Sequence, residues 1–235
     1  MEKYYRIANL TVAMDSFGRT LEQAAPYLTA PGEADIRIES YWEELKHAHP
    51  QLSDEDCEYL CSGSSFYRQL LAFGGMMLHA SAVVVDDRAY LFSAPSGTGK
   101  STHTKLWLEL FGDRAYLLND DKPALRLEDG QWYAYGTPWS GKFDLNRNAR
   151  VKLGGICFLR RAEENEIIPL TGAKAAYHLY DQTVRPPITD LVEKLLELMD
   201  ALVTRVPMWS MGCNQEREAA RMAYEVMSGE HLRRN

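Results

Sequence analysis

The chain has 235 residues, with 26 lysines and arginines against 33 aspartates and glutamates, so its formal net charge is −7. This balance, without any basic stripe, argues against a nucleic-acid-binding protein. The longest apolar runs, such as residues 82–85, are too short to span a bilayer, and residues 1–6 lack a signal peptide's apolar segment. We therefore expect a cytoplasmic protein with no membrane contact, long enough for one large domain or a domain with an appendage.

The sequence predicts two parts: a small α+β appendage at residues 1–75 and a catalytic domain at residues 76–235. The appendage should hold a short strand at residues 5–12, followed by helical segments. One helix should begin at Ser53, because Ser-Asp-Glu-Asp resembles a capping box with Asp56 where glutamate is usual.

Four cysteines are spread along the chain, at Cys57, Cys61, Cys157 and Cys213. Their spacing matches neither a zinc ribbon nor a thioredoxin-like pair, although Cys57 and Cys61 would share a helix face. We interpret them as small buried thiols rather than as a metal or redox site.

A glycine-rich segment, A-P-S-G-T-G-K-S-T, occupies residues 94–102. It follows an apolar, strand-like run at residues 89–93 and leads into a helical stretch that ends at residue 111. Strand, glycine-rich loop and helix in this order predict a phosphate-binding loop. The usual pattern opens with glycine, whereas this one opens with Ala94, which would be strained at a positive φ.

The chemistry of phosphate binding explains the residue types in this segment. Gly97 and Gly99 would let backbone N–H groups turn toward phosphate oxygens, and Lys100 would add a mobile positive charge. Ser101 can offer its hydroxyl to Mg²⁺. The helix that follows would present its partial positive charge to the same phosphates.

Several further elements are predicted from apolar patterning. Two strands at residues 78–93 should be joined by a turn at residues 86–88. Later strands are predicted at residues 115–118, 124–127, 132–135, 155–159 and 207–211. A helix is predicted from the spacing of Ile188, Leu191, Val192, Leu195, Leu196, Met199, Leu202 and Val203. A last helix should run over residues 215–228 with Asn214 as its cap. These elements predict an α/β fold with a mixed central sheet rather than strict βαβ alternation.

Two adjacent carboxylates, Asp120 and Asp121, follow the strand predicted at residues 115–118. A kinase site needs one carboxylate for Mg²⁺ and another for the proton of the acceptor hydroxyl, and strand ends bring such side chains to one edge of a sheet. The alternative is a solvated hairpin turn in which Lys122 neutralises the pair. Because a phosphate loop precedes them, we favour the functional interpretation.

His79 lies in the first of the strands predicted at residues 78–93, on a face with small neighbours. Periodicity alone makes it an ordinary strand residue. The succession H-A-S-A-V-V-V, A-P-S-G-T-G-K-S-T and L-N-D-D, however, resembles the catalytic domain of bacterial HPr kinase/phosphorylase, a group related in fold to the nucleotide-binding part of phosphoenolpyruvate carboxykinases. The resemblance covers residues 77–127 and extends more weakly to residue 159.

The resemblance implies a nucleotide-binding site and a role for each of its residues. The residues implied to hold the nucleotide are Ser96, Gly97, Thr98, Gly99, Lys100, Ser101 and Thr102. Ser101 and Asp121 would hold Mg²⁺. Asp120 would be the general base on the acceptor hydroxyl, with His79 holding the charge and orientation of that carboxylate, and Lys100 would face the β- and γ-phosphates.

The chain departs from this family in two places. Residues 136–142 read G-T-P-W-S-G-K where the family's downstream glycine-rich signature would be expected, and this loop is either a second anion-binding element or an ordinary turn. The first 75 residues show no likeness to the N-terminal domain of HPr kinases. HPr is therefore not implied as the substrate, and the acceptor stays open. Three arginines are either anion-binding groups or solvated charges: Arg147, Arg150 and Arg185.

We therefore predict an ATP- and Mg²⁺-dependent kinase of HPr-kinase-like fold that phosphorylates an alcohol, such as a serine hydroxyl of a protein, peptide or small molecule. One alternative is a regulator that binds nucleotide without turnover, which would need a magnesium ligand but no base. Another is a carboxykinase-like enzyme acting on an oxo-acid, which is weaker because no metal-binding lysine and histidine set is placed for it. The oligomeric state stays open, a homo-oligomer included.

Overall fold

The computed structural model describes residues 1–187 and 189–232. They form a mixed α/β fold with two sheets, which confirms the predicted α/β class. The α-helices of this part of the chain are α1 (Gly18–Ala24), α2 (Trp42–Ala48), α3 (Asp54–Leu70), α4 (Lys100–Phe111), α5 (Gly172–Asp181), α6 (Thr189–Arg205) and α7 (Arg217–Ser228). Within the same residues, we find no helix with the length and apolar character needed to cross a bilayer.

A small sheet forms near the N-terminus. Its strands are β1 (Lys3–Ile7), β2 (Leu10–Met14) and β3 (Ile36–Ile38), in the order β1-β2-β3. The single strand predicted at residues 5–12 is wrong, because the chain reverses within it. Ala8 and Asn9 both have positive φ, as in the tight turn of a two-residue hairpin, so β1 and β2 pair antiparallel. A turn of only two residues barely interrupts the apolar alternation, which is why the pattern read as one strand.

A larger mixed sheet carries nine strands in the described chain. These strands are β4 (Gly75–Met77), β5 (Ala80–Val85), β6 (Arg88–Ser93), β7 (Ala115–Asn119), β8 (Ala124–Glu128), β9 (Gln131–Tyr135), β10 (Arg150–Arg161), β11 (Glu166–Pro169) and β12 (Met208–Cys213). The main path runs β4-β8-β9-β10-β6-β5-β7, and β12 pairs with both β10 and β11. Parallel and antiparallel pairs both occur, so the predicted mixed sheet is confirmed.

Helices cover both faces of the large sheet, and the alternation along β5 shows why. Ala80, Ala82 and Val84 join the apolar cluster that contains residues of α5 and α6, whereas Val83 and Val85 join the cluster that contains residues of α4 and α7. A strand buried on both faces reads as a nearly continuous apolar run, which matches A-S-A-V-V-V. The helix predicted from the apolar stripe is confirmed as α6, although Ile188 lies outside the described residues.

A third apolar cluster joins the two sheets. Tyr5 of β1 and Phe66 of α3 belong to it, together with Met77 of β4, Tyr135 of β9 and Trp139 from the loop after β9. The N-terminal residues therefore share buried surface with the large sheet. The boundary at residue 75 stays a prediction.

Two helix starts were predicted from capping residues. Ser53 is the N-cap of α3, since its Oγ accepts a hydrogen bond from the Asp56 N–H at 3.0 Å. The predicted cap of the last helix is wrong: α7 begins at Arg217, and Asn214 instead accepts a hydrogen bond from the Glu216 N–H in the preceding turn. Asparagine is common both in turns and at helix N-caps, so the residue type does not distinguish the two structures.

The four cysteines are free. Cys57 and Cys157 are buried, as expected for small thiols, whereas Cys61 and Cys213 are partly exposed. The described part of the chain holds no group of three or more histidine, cysteine or carboxylate side chains arranged for a metal ion.

Candidate active site

The predicted site residues meet at one edge of the large sheet because of the strand order. Strand β5 pairs antiparallel with both β6 and β7, so β6 and β7 run in the same direction and end at the same edge. Ala80, at the start of β5, pairs with Ser93 at the end of β6, and Ala82 pairs with Asn119 at the end of β7. The residues after β6, those after β7 and the residue before β5 are therefore neighbours.

The segment between β6 and α4, here called the glycine loop (residues 94–99), has the backbone that its glycines allow. Gly97 has φ +77° and Gly99 has φ +125°, both in the region that side chains with a Cβ rarely adopt. At both positions, no described atom lies within 4 Å of where a Cβ would stand, so the backbone borders open space. Ala94 is not among the described residues with positive φ, so the alanine at the start of this loop is not strained in that way.

Lys100, the first residue of α4, has its side chain folded back into the site. Its Nζ donates to the Ala94 carbonyl at 2.9 Å and lies 3.0 Å from His79 Nε2. Only 7% of the residue is exposed. Burial lowers the pKa of the Lys100 ammonium below its usual value, although the charges of Asp121 and Asp120 oppose this shift.

Asp120 lies in a polar niche beneath the sheet edge. It is 6% exposed, and its Oδ1 accepts a hydrogen bond from Ser81 Oγ at 2.7 Å. Burial raises the pKa of the Asp120 carboxyl above its usual value, and hydrogen bonds from Ser81 and Ser101 counter only part of that shift. Because β7 pairs with β5 and not with β8, the two aspartates do not close a hairpin.

Asp121 differs from its neighbour in both contacts and charge. Its carboxylate lies 3.1 Å from His79 Nε2 and 2.6 Å from Lys122 Nζ. Burial alone would raise its pKa, but the hydrogen bonds and charges of His79 and Lys122 outweigh burial and hold the pKa well below its usual value. The ionised form of Asp121 is therefore favoured relative to an ordinary aspartate, whereas that of Asp120 is disfavoured.

His79 was expected beside Asp120, and the carboxylate that it contacts is that of Asp121. The reason is the pairing at the start of β5: the Ala80 N–H donates to the Asp121 carbonyl at 3.0 Å, which sets the preceding residue next to Asp121. Ser81, two positions along, takes the place beside Asp120. The other ring nitrogen of His79 lies 3.0 Å from Gln182 Oε1.

The opposite wall of the site is the loop between β9 and β10, here called the site loop (residues 136–145). Trp139 anchors it, since the indole is fully buried and its Nε1 donates to Ser62 Oγ of α3 at 3.1 Å. The indole also stacks on the ring of Phe66, with 4.9 Å between ring centroids. The predicted G-T-P-W-S-G-K loop is thus attached to the N-terminal region.

Gly141 brings the site loop close to the carboxylates. A Cβ at this position would lie 2.7 Å from the Asp121 Cβ, so a larger residue would force the two segments apart. The Gly141 N–H donates to Tyr59 Oη at 3.0 Å, and its carbonyl accepts a hydrogen bond from Arg19. Arg19 also donates to Asp144 Oδ1, with its Nε at 2.8 Å. Two helices of the N-terminal region therefore hold this end of the loop.

Together these walls enclose a cavity of about 580 Å³. Its lining residues are His79, Ser96, Gly97, Gly99, Lys100, Ser101, Thr102, Asp120, Asp121, Lys122, Gly141, Lys142 and Phe143. The cavity thus brings together every residue predicted for the site except Thr98. Its mixture of cations, carboxylates and glycine backbone suits an anionic ligand bound with a cation.

The three arginines considered for an anionic acceptor lie elsewhere. Arg147 stacks over the ring of Tyr116 at 4.2 Å, and Arg150 pairs with Glu128 at 2.9 Å. Arg185 lies above Tyr180 at 5.7 Å. None of the three lines the cavity, which fits the interpretation as surface charges.

Arg161 and Ser81 are residues at the site that sequence reasoning missed. Arg161, the last residue of β10, donates to the carbonyls of Gly97 at 2.6 Å and Thr98 at 3.3 Å. Its position follows from the parallel pairing of β10 with β6, which is a long-range feature. Ser81 lies two positions after His79 on the same strand face, so its alternation with Ala80 and Ala82 could have placed it on the carboxylate face.

The donor set of the cavity fits Mg²⁺. Ser101, Asp120 and Asp121 offer one hydroxyl and two carboxylates, and Ser101 lies within hydrogen-bonding reach of Asp120. Mg²⁺ prefers such hard oxygen ligands and commonly takes one or two carboxylates together with substrate phosphates.

The chain is similar to proteins of known structure and matches a family model. The Hpr(Ser) kinase/phosphatase from Coxiella burnetii is 16% identical, with a TM-score of 0.32, over 53% of this chain and 93% of that chain. No curated protein matches the chain. The family model of SynChlorMet cassette protein ScmC matches residues 53–214, which is more than half of the chain. The chain therefore belongs to the ScmC family.

Proposed function

We propose that the protein is an ATP- and Mg²⁺-dependent phosphotransferase that transfers the γ-phosphate to a hydroxyl group. The observation that carries this proposal is the pair of adjacent carboxylates with opposite pKa shifts, in one cavity with a glycine loop and Lys100. Phosphoryl transfer needs little beyond positioning and charge neutralisation, and these groups supply both.

The roles of the two carboxylates follow from their surroundings. Asp120, whose pKa is raised, takes the proton of the acceptor hydroxyl while that oxygen bonds to the γ-phosphorus. The bond from the γ-phosphorus to the bridging oxygen breaks, and ADP leaves with that oxygen. Asp121 stays ionised at neutral pH, which suits a ligand of the cation.

The remaining groups bind and orient. Lys100 and the backbone N–H groups of residues 96–102 would hold the phosphates, with Arg161 fixing two carbonyls of the glycine loop from behind. Ser101 and Asp121 would hold Mg²⁺, which when bound neutralises charge on the β- and γ-phosphates. His79 Nε2 lies between Lys100 and Asp121, so it would orient one or the other, as a donor to Asp121 or as an acceptor from Lys100.

The N-terminal residues would support the proposed site without taking part in the reaction. We treat residues 1–75 as an appendage to the catalytic domain at residues 76–235. Arg19, Tyr59 and Ser62 from this appendage contact the site loop, so the appendage supports one wall of the nucleotide cavity.

The test uses the full chain, ATP labelled at the γ-phosphate and a cell extract as the source of acceptor. Transfer of label to an extract component should require Mg²⁺ and should fall about a hundredfold or more in Asp120→Asn, with ATP affinity kept. Asp121→Asn should instead raise the Mg²⁺ concentration needed for half-maximal rate. Lys194→Ala, an exposed charge change on α6, is the control and should change neither quantity.

Three other results of these experiments would contradict the proposal in whole or in part. ATP·Mg²⁺ binding by calorimetry without transfer to any component would favour a nucleotide-binding regulator. No binding would refute the phosphotransferase altogether. Full transfer by both aspartate variants would refute the assigned roles.

A further inference from the structure

A second cavity adjoins the first at Asp120. It has a volume of about 480 Å³, and the two cavities share Ser101, Thr102, Asp120 and Phe143. The residues that line only the second cavity are Thr104, Lys105, Leu108, Leu117 and Leu145. Helix α4 and the end of β7 thus form one side, and the end of the site loop forms the other.

The second cavity is largely apolar. Leu108, Leu117, Leu145 and Phe143 line it, and Phe143 and Leu145 remain 67% and 50% exposed. Apolar surface of this kind lies open beside a polar site. When an apolar group of a ligand covers it, the free energy falls.

Few polar groups of the second cavity are available to a ligand. Asp120 is the only carboxylate among its lining residues. Thr104 is buried, and its hydroxyl already contacts Ser81 at 2.9 Å and the carbonyl of Ser101 at 3.1 Å. Lys105 is exposed at the rim. A ligand that entered here would therefore meet apolar walls, the hydroxyls of Ser101 and Thr102, and a single carboxylate.

Asp120 connects the two cavities chemically. Its main chain is held by the site loop, since the Asp120 N–H donates to the Leu145 carbonyl at 3.1 Å. An acceptor hydroxyl at this carboxylate would have the nucleotide cavity on one side and the apolar cavity on the other.

We infer that the acceptor carries an apolar group next to its hydroxyl, and that this group occupies the second cavity while the hydroxyl meets Asp120. The inference rests on the proposed function and specifies its substrate class. In the transfer step, the hydroxyl oxygen of this acceptor bonds to the γ-phosphorus of ATP, the bond to the bridging oxygen breaks, and the hydroxyl proton passes to Asp120. The products are a phosphate monoester and ADP.

Two sources present this chemistry: a serine or threonine beside an apolar residue in a polypeptide, and a free alcohol with an apolar substituent. The experiment therefore uses two matched pairs of probes with the full chain, labelled ATP and Mg²⁺. One pair is a serine heptapeptide with leucine or asparagine beside the serine. The other pair is benzyl alcohol and glycerol. The pair that reacts identifies the source.

We expect the apolar member of the reacting pair to have a kcat/KM about tenfold or more above its polar counterpart. Leu145→Arg should remove most of that preference, because it places a charge in the cavity while keeping the main-chain contact to Asp120. Leu196→Arg is the matched control, since Leu196 is also 50% exposed but lies on α6. Equal rates for apolar and polar probes, or a preference kept in Leu145→Arg, would overturn the inference.

A separate measurement distinguishes failure of the inference from failure of the proposed function. Calorimetry with ATP·Mg²⁺ tests the nucleotide site, and equilibrium dialysis with the same probes, without nucleotide, tests the second cavity. Preferential binding of the apolar probes that Leu145→Arg abolishes supports the cavity assignment even where no transfer occurs. Equal binding of apolar and polar probes refutes it.

Discussion

The two walls of the candidate active site are built in different ways. The glycine loop is made of consecutive residues between β6 and α4, and its shape follows from positive φ at Gly97 and Gly99. The site loop instead depends on partners far away in the chain: Trp139 is held by α3, and Gly141 by Arg19 and Tyr59. One wall is therefore a local structure, and the other is a product of tertiary packing.

Substitutions in the two walls should therefore have different consequences. A local loop keeps its shape as long as its glycines and flanking elements form, so substitutions there should act mainly on ligand binding. A loop held by distant contacts loses its shape when those contacts are removed, so substitutions there should act on stability first.

The largest effect is expected at the anchor of the site loop. Trp139→Ala should lower the free energy of unfolding by about 3 to 5 kcal/mol, because it removes a fully buried indole and leaves a cavity against Phe66. It should also lower the rate of phosphate transfer, measured at a temperature below the variant's melting temperature. Trp132→Ala, which removes an equally buried indole from the cluster packed against α6, should destabilise comparably without that loss. Equal activity losses in both variants would contradict the contrast.

The second effect is a pH dependence of the helix that supports the site loop. Burial raises the pKa of Glu58 on α3 to about 7, and neither of its carboxylate oxygens has a hydrogen-bond partner among the described residues. Since the folded pKa is above the unfolded value, the stabilisation is present below pH 4.5 and is lost as the pH rises through 7. The free energy of unfolding should therefore fall by about 2 kcal/mol more in the wild type than in Glu58→Gln between pH 5 and pH 8. Urea denaturation at both pH values measures this, and parallel curves would refute it.

The third prediction compares one lysine from each wall. Lys100→Ala should weaken ATP·Mg²⁺ binding by about tenfold or more, since it removes a buried charge from the phosphate side. Lys142→Ala, on the exposed part of the site loop, should have a smaller effect because solvent screens its charge. Calorimetry measures both. A larger effect from Lys142 would reverse the roles of the walls and support the site loop as the main anion-binding element.

The smallest effects concern two arginines that donate to loop carbonyls. Arg19→Ala should lower the free energy of unfolding by about 1 kcal/mol, because it detaches Gly141 and Asp144 from α1. Arg161→Ala should change it by about 0.5 kcal/mol or less, since the exposed guanidinium only supports a loop that its own glycines shape. Equal destabilisation would show that the glycine loop also depends on distant contacts.

Much of the fold was predictable because the elements carry local signals. The strands predicted at residues 115–118, 124–127, 132–135, 155–159 and 207–211 all occur, as β7, β8, β9, β10 and β12. The errors fell where a residue type serves two structures. Asn9 forms a hairpin turn inside an apolar alternation, and Asn214 closes a turn rather than caps a helix.

The features of the candidate site also fall into two groups, those that the local sequence determines and those that strand pairing determines. The residue types and spacing of the glycine loop, and the two carboxylates after an apolar strand, are properties of the sequence itself, because they depend on local backbone geometry and strand direction. Only the tertiary structure decided that His79 contacts Asp121, that Ser81 contacts Asp120 and that residues 136–145 form the facing wall. Those outcomes depend on which strands pair and in what register. A one-residue change in register moves every side chain to the other face, and no local pattern specifies the partner strand.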